Sequence, residues 1–305
     1  MEYVIRDRVR RAYERHLERT ITDPPQHIAV IQDGNRRYAR KKGAERETKG
    51  HHKGAKTTEQ LLDWCQDFTI QELTLYAFST ENFNRPQEER EELFDLIEEK
   101  LYEFAESTMV HEEQVKIVAL GERSELPQRV RAAIRYAETQ TQGYDQFRLN
   151  VALAYGGRST LLGATKQIAR DAIEGNVDPE EIDVETIKDH LYEEPIRDVD
   201  LIIRTGGEKR TSNFLPWHSN GNEAAVYFCT PYWPSFSRSD FLRGLRTYEH
   251  RQESFQQSRV QRALALLREL GSAELEEARE ILSRTNTDDP ELQSAIENNS
   301  GAKGR

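Results

Sequence analysis

Residues 27–56 read HIAVIQDGNRRYARKKGAERETKGHHKGAK, and the first five of them decide the fold. HIAVI is a short run rich in β-branched residues that gives way to Gln-Asp-Gly, the pattern of a buried strand entering a loop. Working outward, further apolar runs follow: LTLYAF (73–78), VKIVAL (115–120), LNVALAY (149–155) and DLIIR (200–204). They alternate with helical stretches near 54–67, 88–107, 127–141 and 158–173. Strand, helix, strand repetition predicts a parallel sheet with helices on both faces. Ligands of such sheets bind beyond the C-terminal ends of the strands, so loops starting at Asp33, Ser79, Gly156 and Thr205 are placed to share one cleft.

The 305 residues suffice for one large α/β domain with an ample core. The expected organisation is an N-terminal helix over 1–23, a catalytic domain over 24–250, and a charged helical extension over 251–305 with a disordered end, NNSGAKGR. In the N-terminal helix Ile5, Val9, Ala12, Tyr13, His16 and Leu17 fall near one face. That face reads either as docked on the domain or as a basic amphipathic surface resting on anionic lipid. The net charge of −11, from 43 basic and 54 acidic residues, argues against a nucleic-acid binder, so any anion site is local. Cys65 and Cys229 show neither disulfide-framework nor zinc-ligand spacing. No signal peptide and no run of the roughly 20 apolar residues that span a bilayer is visible, which points to the cytoplasm.

Three of the four loops carry chemistry. Between Asp33 and Lys56 stand nine basic residues (Arg36, Arg37, Arg40, Lys41, Lys42, Arg46, Lys49, Lys53, Lys56) against three acids (Asp33, Glu45, Glu47). That local reversal of the global sign is the footprint of an anionic ligand. Gly34 lets backbone approach it closely, and Asp33, a lone carboxylate at a strand end, suits Mg²⁺ held jointly with phosphate oxygens. The competing reading is a DG turn beside a solvated basic helix. His51 and His52 are neighbours that cannot both face one metal, leaving either surface residues or a phosphate contact by one of them.

The second loop, FSTENFNRP, interleaves Ser79, Glu81, Asn82 and Arg85 with Phe78 and Phe83. Polar anchors beside aromatics suit a ligand with an anionic head and an apolar tail, although helix capping explains several of them equally well. The third, RTGGEKRTSNF, sets Arg204, Arg210 and Ser212 around a Gly-Gly turn, and arginine presents a planar fork to phosphate oxygens. Glu223, in HSNGNE, is either a second metal carboxylate or a surface residue. No GxxxxGKS or GxxxxGKT run, GxSxG elbow or HExxH helix occurs, which removes P-loop hydrolases, serine hydrolases of that type and zincins.

Together HIAVIQDGNRRYA, YAFSTENFNRP, LNVALAYGGR and DLIIRTGGEKRTSNF followed by WPSF resemble the signature blocks of cis-prenyltransferases, the undecaprenyl and dehydrodolichyl diphosphate synthases. The resemblance runs from about residue 24 to 250, and Pro216 with HSNGNE is similar to archaeal members. It implies a roughly six-stranded parallel sheet flanked by helices, an apolar tunnel for the growing chain, and a homodimer. It implies that Asp33 holds Mg²⁺ against the allylic diphosphate while Gly34, Asn35, Arg36, Arg37, Arg46 and His51 cradle the phosphates. Arg204, Arg210, Thr211 and Ser212 would bind isopentenyl diphosphate, with Glu223 as a further metal ligand. Asn82 would assist proton removal, and Tyr38 and Phe83, aromatic where the family often has Trp, would wall a substrate site shared with Ser79, Thr80, Glu81 and Arg85. Lys209 stands where some bacterial members have His.

The implied reaction adds isopentenyl diphosphate units in cis to farnesyl or geranylgeranyl diphosphate, giving a polyprenyl diphosphate of about undecaprenyl length that serves as a glycosyl carrier lipid. Its apolar product implies transient peripheral contact with the cytoplasmic membrane. The rival within the family is a non-catalytic partner subunit. Such chains lose the aspartate and much of the phosphate loop, whereas Asp33, Asn35, Arg37, Arg204 and Arg210 are present here. RNA binding through residues 36–56 is the weaker outsider, because the patch is poor in aromatics.

Overall fold

The computed structural model describes residues 2–43, 48–219 and 224–269. In chain order the elements are α1 (Glu2–Thr20), β1 (His27–Ile31), α2 (Asn35–Lys41), α3 (Thr48–Asp67), β2 (Glu72–Tyr76), α4 (Gln87–Glu106), α5 (Thr108–Glu112), β3 (Val115–Leu120), α6 (Gln128–Thr141), β4 (Phe147–Ala152), α7 (Gly157–Glu174), α8 (Val184–Leu191), β5 (Leu201–Arg204), β6 (Ala225–Phe228) and α9 (Arg238–Glu269). Contacts divide the chain into Met1–Tyr248, which contains the whole sheet, and Glu249–Arg305.

The sheet is the expected one: six parallel strands, ordered β3-β4-β2-β1-β5-β6, flanked by helices. Every residue of β1 and β5 is buried, which is why both read as continuous apolar runs instead of alternating ones. One face packs Ile28, Val30, Leu73 and Leu75 in a core with Leu61, Phe94, Val130 and Phe241 from α3, α4, α6 and α9. The other joins Ala29, Ile31, Val118 and Ile202 to Tyr155, Phe214 and Leu215. The edge strand β3 is closed to further pairing on its exposed side: the Ile117 and Ala119 amides donate to Thr141 Oγ1 and Glu138 Oε1, each at 3.0 Å.

From β1 the chain passes to β2 on one side, and from β5 to β6 on the other. Such a reversal of strand order opens a crevice beyond the C-terminal ends of β1 and β5. Asp33 follows one of those strands and Arg204 ends the other.

The structure corrects the reading of the N-terminal helix. Of its expected apolar face, Leu17 is buried, but Val9, Ala12, Tyr13 and His16 are exposed. The docking contacts are polar instead: Arg238 Nε donates to Glu18 (2.9 Å), Ser239 Oγ to Glu14 (2.7 Å) and Arg246 to the Thr20 carbonyl (2.8 Å). Strand β6, AVYF, was not expected from its four residues, and the helix expected after about 250 begins at Arg238. The segment NNSGAKGR lies outside the described residues. Cys65 and Cys229 are both free and buried, and no helix among the described residues is long and apolar enough to cross a membrane.

Candidate active site

Sheet register sets Ile31 between Arg204 of β5 and Tyr76 of β2. Two residues on, the Asp33 carboxylate accepts from Arg204 Nη2 at 2.8 Å and, through its other oxygen, from Arg37 Nη2 at 3.0 Å. Its carbonyl is fixed as well, by Thr205 Oγ1 (2.7 Å) and the Trp233 amide (3.0 Å). Burial alone would raise the Asp33 carboxyl, but the hydrogen bonds and charges of Arg204 and Arg37 outweigh it and hold the group below the usual carboxylate range. Asp33 is therefore an oriented anion at neutral pH.

Gly34 adopts φ 99°, and a Cβ there would lie 2.6 Å from Tyr232 Cδ1, so the start of α2 requires glycine. The same Tyr232 ring carries the Arg37 guanidinium 5.4 Å above its centroid. Residues 32–37 with Arg40, His51 and Arg85 wall a concavity of about 300 Å³. Glu89 of α4 ties this basic wall to the second loop, lying 3.4 Å from Arg36 Nε and accepting from Arg85 Nη1 at 2.7 Å.

The concavity leads into an apolar cavity of about 180 Å³ between α3, α4 and the sheet, lined among others by Ala55, Leu93, Leu96, Ile97, Leu101 and Phe104. Gln32, Asn35, His51 and Arg85 belong to both linings and form a polar throat. Within it Gln32 Nε2 donates to Thr58 Oγ1 at 2.8 Å, and Asn35 Nδ2 to the Gln32 carbonyl at 3.0 Å.

The third loop meets the first at Arg204, only 4% exposed. While its Nη2 reaches Asp33, its Nη1 donates to the Arg210 carbonyl and to Ser212 Oγ. Arg210 itself is exposed and paired with Glu208 at 3.0 Å. Just beyond, Phe214 stacks on Tyr76 with centroids 4.4 Å apart.

The remaining expected residues divide. Asn82 lines the apolar cavity, and its Oδ1 accepts from the Ser79 amide at 2.9 Å. Phe83 packs on Phe78 at 5.0 Å against the core. Tyr38, Ser79 and Glu81 line neither cavity, and Thr80 faces a separate groove of about 710 Å³ beside β3 and α7. Thr211 is half-buried next to Ser212, while His52 is exposed on α3 beside the half-buried His51. Arg46 and Glu223 lie outside the described residues. Sequence reasoning missed Gln32, Thr58, Glu89 and Tyr232; Glu89 gave no signal because it stands in the acidic run QEEREE, indistinguishable from a solvated helix face.

Among the described residues no group of three or more His, Cys, Asp or Glu side chains could enclose a metal. A single ionised carboxylate facing an anion concavity nonetheless fits Mg²⁺, which takes one or two carboxylates and completes its shell with phosphate oxygens and water.

Residues 31–256 match the prenyltransferase family model described as undecaprenyl diphosphate synthase. The tritrans,polycis-undecaprenyl-diphosphate synthase (geranylgeranyl-diphosphate specific) of Halobacterium salinarum is 59% identical over 272 residues, 89% of either chain. The protein of the same name from Haloarcula marismortui is 56% identical over 273 residues, 90% of either chain. Among solved structures, lavandulyl diphosphate synthase from Lavandula x intermedia, in complex with dimethylallyl diphosphate, superposes with a TM-score of 0.68 at 32% identity, covering 74% of this chain and 95% of that one.

Proposed function

The chain belongs to the undecaprenyl diphosphate synthase family of cis-prenyltransferases, and from that premise we propose that it condenses isopentenyl diphosphate repeatedly onto geranylgeranyl diphosphate, giving a polyprenyl diphosphate of about undecaprenyl length. It is an enzyme of prenyl transfer; the primer and the length are the proposed part. One observation carries the reading: a concavity walled by arginines opens, through four shared residues, into an apolar cavity. An amphiphile with a diphosphate head and an isoprenoid tail is what such a site accommodates. The geranylgeranyl primer is favoured over farnesyl by the names of both haloarchaeal relatives.

In this reading Gly34, Asn35, Arg36, Arg37 and His51 hold the allylic diphosphate, and Arg204, Ser212 and Arg210 hold that of isopentenyl diphosphate. Ionisation of the allylic C–O bond develops positive charge on carbon and negative charge on the departing diphosphate, which the preorganised guanidinium groups stabilise most in the transition state. Asp33 is the residue that would hold Mg²⁺, whose chemistry there is neutralisation of diphosphate charge. The double bond of isopentenyl diphosphate attacks the allylic carbon, and loss of a proton leaves the new cis double bond. Asn82 is a carboxamide and its oxygen is engaged by the Ser79 amide, so it positions the loop, and the proton passes to diphosphate oxygen or water.

The non-catalytic partner reading is not favoured, since the phosphate loops are intact and the relatives carry synthase names. A homodimer and delivery of the product to a membrane complete the proposal. The test incubates purified protein with labelled isopentenyl diphosphate and, separately, geranylgeranyl or farnesyl diphosphate, with Mg²⁺ or EDTA, and measures chain length in the extracted lipid. A Mg²⁺-dependent long product from geranylgeranyl diphosphate is expected. Folded protein that elongates neither primer would overturn the reading.

A further inference from the structure

Of the four loops at the C-terminal end of the sheet, the one after β4, Tyr155-Gly156-Gly157-Arg158, supplies no residue to either half of the anion site. Its contacts instead run to the loops on both sides. Ser79 and Tyr155 form a parallel β-bridge, and the Thr80 amide donates to the Tyr155 carbonyl at 2.9 Å. On the other side, the first turn of α7 meets Asn213: the Gly157 amide donates to the Asn213 carbonyl and the Arg158 amide to Asn213 Oδ1, both at 3.0 Å. Neither approach tolerates a side chain on the glycines. A Cβ on Gly156 would lie 2.8 Å from Thr80 Oγ1, and one on Gly157 would lie 2.2 Å from Pro216 Cδ and 2.7 Å from the Asn213 carbonyl oxygen.

The segment held by α7 is under backbone strain. Ser212, Asn213 and Leu215 have φ of 49°, 60° and 45°, left-handed conformations that only asparagine among them adopts readily. Strained backbone of this kind persists where its surroundings over-determine it. Three contacts do so here: the Asn213 cap, the Phe214 ring stacked on Tyr76, and Leu215 with no exposed surface. The result aims Ser212 Oγ at Arg204 Nη1.

We infer that Asn213 is a positioning residue for isopentenyl diphosphate, fixing Ser212 and the Arg210 carbonyl around Arg204 by capping the first turn of α7. The inference rests on assigning the third loop to isopentenyl diphosphate. It makes the Gly156-Gly157 turn a spacer between the second and third loops, a role distinct from ligand binding. Asn213 touches no substrate in this scheme and acts through its neighbours.

Steady-state kinetics of Asn213→Gly and Asn213→Asp, with Arg204→Lys as reference, test it. Glycine keeps the left-handed backbone and deletes the cap, while aspartate retains an acceptor suited to a helix N-terminus. Asn213→Gly is expected to raise KM for isopentenyl diphosphate about fivefold, the scale of losing the one hydrogen bond from the Arg158 amide. KM for the allylic substrate and kcat should stay within about twofold, and Asn213→Asp should return KM most of the way. Unchanged KM in Asn213→Gly, or a parallel rise in both KM values with a falling Tm, would overturn the inference, the latter marking general loosening. If Arg204→Lys also leaves KM for isopentenyl diphosphate unaltered, the assignment of the third loop fails; if it raises that KM while Asn213→Gly does not, only the role of Asn213 falls.

Discussion

Arg204 holds Asp33 with one terminal guanidinium nitrogen and Ser212 with the other, so a single buried side chain joins the carboxylate of the first loop to the Ser212 hydroxyl and Arg210 carbonyl of the third. The two proposed substrate sites therefore share a residue. Lysine cannot replace it, because one ammonium lacks the planar fork that spans both partners. Arg204→Lys should raise KM for isopentenyl diphosphate by about tenfold, the scale of one charge-assisted hydrogen bond. Asp33→Ala should leave the fold and substrate binding nearly intact and lower kcat by about a thousandfold, because its contribution grows as charge develops on the leaving diphosphate. Near-normal turnover in Asp33→Ala would remove the carboxylate from the mechanism.

Helices α2 and α3 touch through glycine. A Cβ on Gly50 would lie 2.0 Å from the Asn35 carbonyl oxygen, and one on Gly54 would lie 2.4 Å from Asn35 Oδ1 and 2.7 Å from Trp233 Cδ1. Trp233 in turn donates its indole N–H to the Gly54 carbonyl at 2.8 Å. Gly54→Ala should push Asn35 out of the throat, destabilise by roughly 1–3 kcal/mol as overpacking does, and raise KM for the allylic substrate selectively. Thermal unfolding alongside kinetics checks both parts; a variant with unaltered Tm and KM would mean that the two helices part freely.

The legible part of this molecule was the part dominated by local pattern. β1 and β5 announced themselves because burial on both faces leaves no polar alternation to confuse with a helix. Asp33 and Arg204 were both visible as polar residues at strand ends, but not their direct contact, which spans 171 positions and depends on β1 and β5 being neighbours. The four-residue β6 was too short to stand out, and α1 misled because it docks through Glu14 and Glu18 and leaves Val9 and Tyr13 outside. Glu89 and Thr58 gain their meaning only from tertiary position: each lies on a helix whose inward face is set by the sheet it covers.

Ala55 of α3 lines the apolar cavity opposite the α4 residues Leu93, Leu96 and Ile97. If the growing tail occupies this space, the volume available beyond the throat limits the product. Ala55→Leu adds three carbons to one wall and should shift the product distribution toward shorter chains while the first condensation proceeds at a near-normal rate. Chain-length analysis of the extracted lipid decides the point, and a distribution identical to that of the unaltered enzyme would place the growing tail elsewhere.

His218, with 1% exposure, is buried beside Tyr192, their rings 5.4 Å apart, and among the described residues its Nδ1 has no hydrogen-bond partner. Burial pushes its imidazole down to about 4 from an ordinary value of 6.5, and burial likewise lowers His27. Below pH 6.5 the unfolded chain takes up a proton at His218 that the folded protein refuses. Stability is therefore complete above that pH and falls steadily on acidification until the native state also protonates near pH 4. The loss from this residue is on the order of 3 kcal/mol across the window. Glutamine at this position is neutral throughout, so His218→Gln should flatten the acid side of the stability curve by about one proton's slope, while His27 and the carboxylates held low in the folded state, Asp33 and Glu194 among them, keep their own contributions. Denaturant unfolding at several pH values between 4 and 7 measures that slope directly; equal slopes in the two proteins would mean that His218 titrates normally in the folded state.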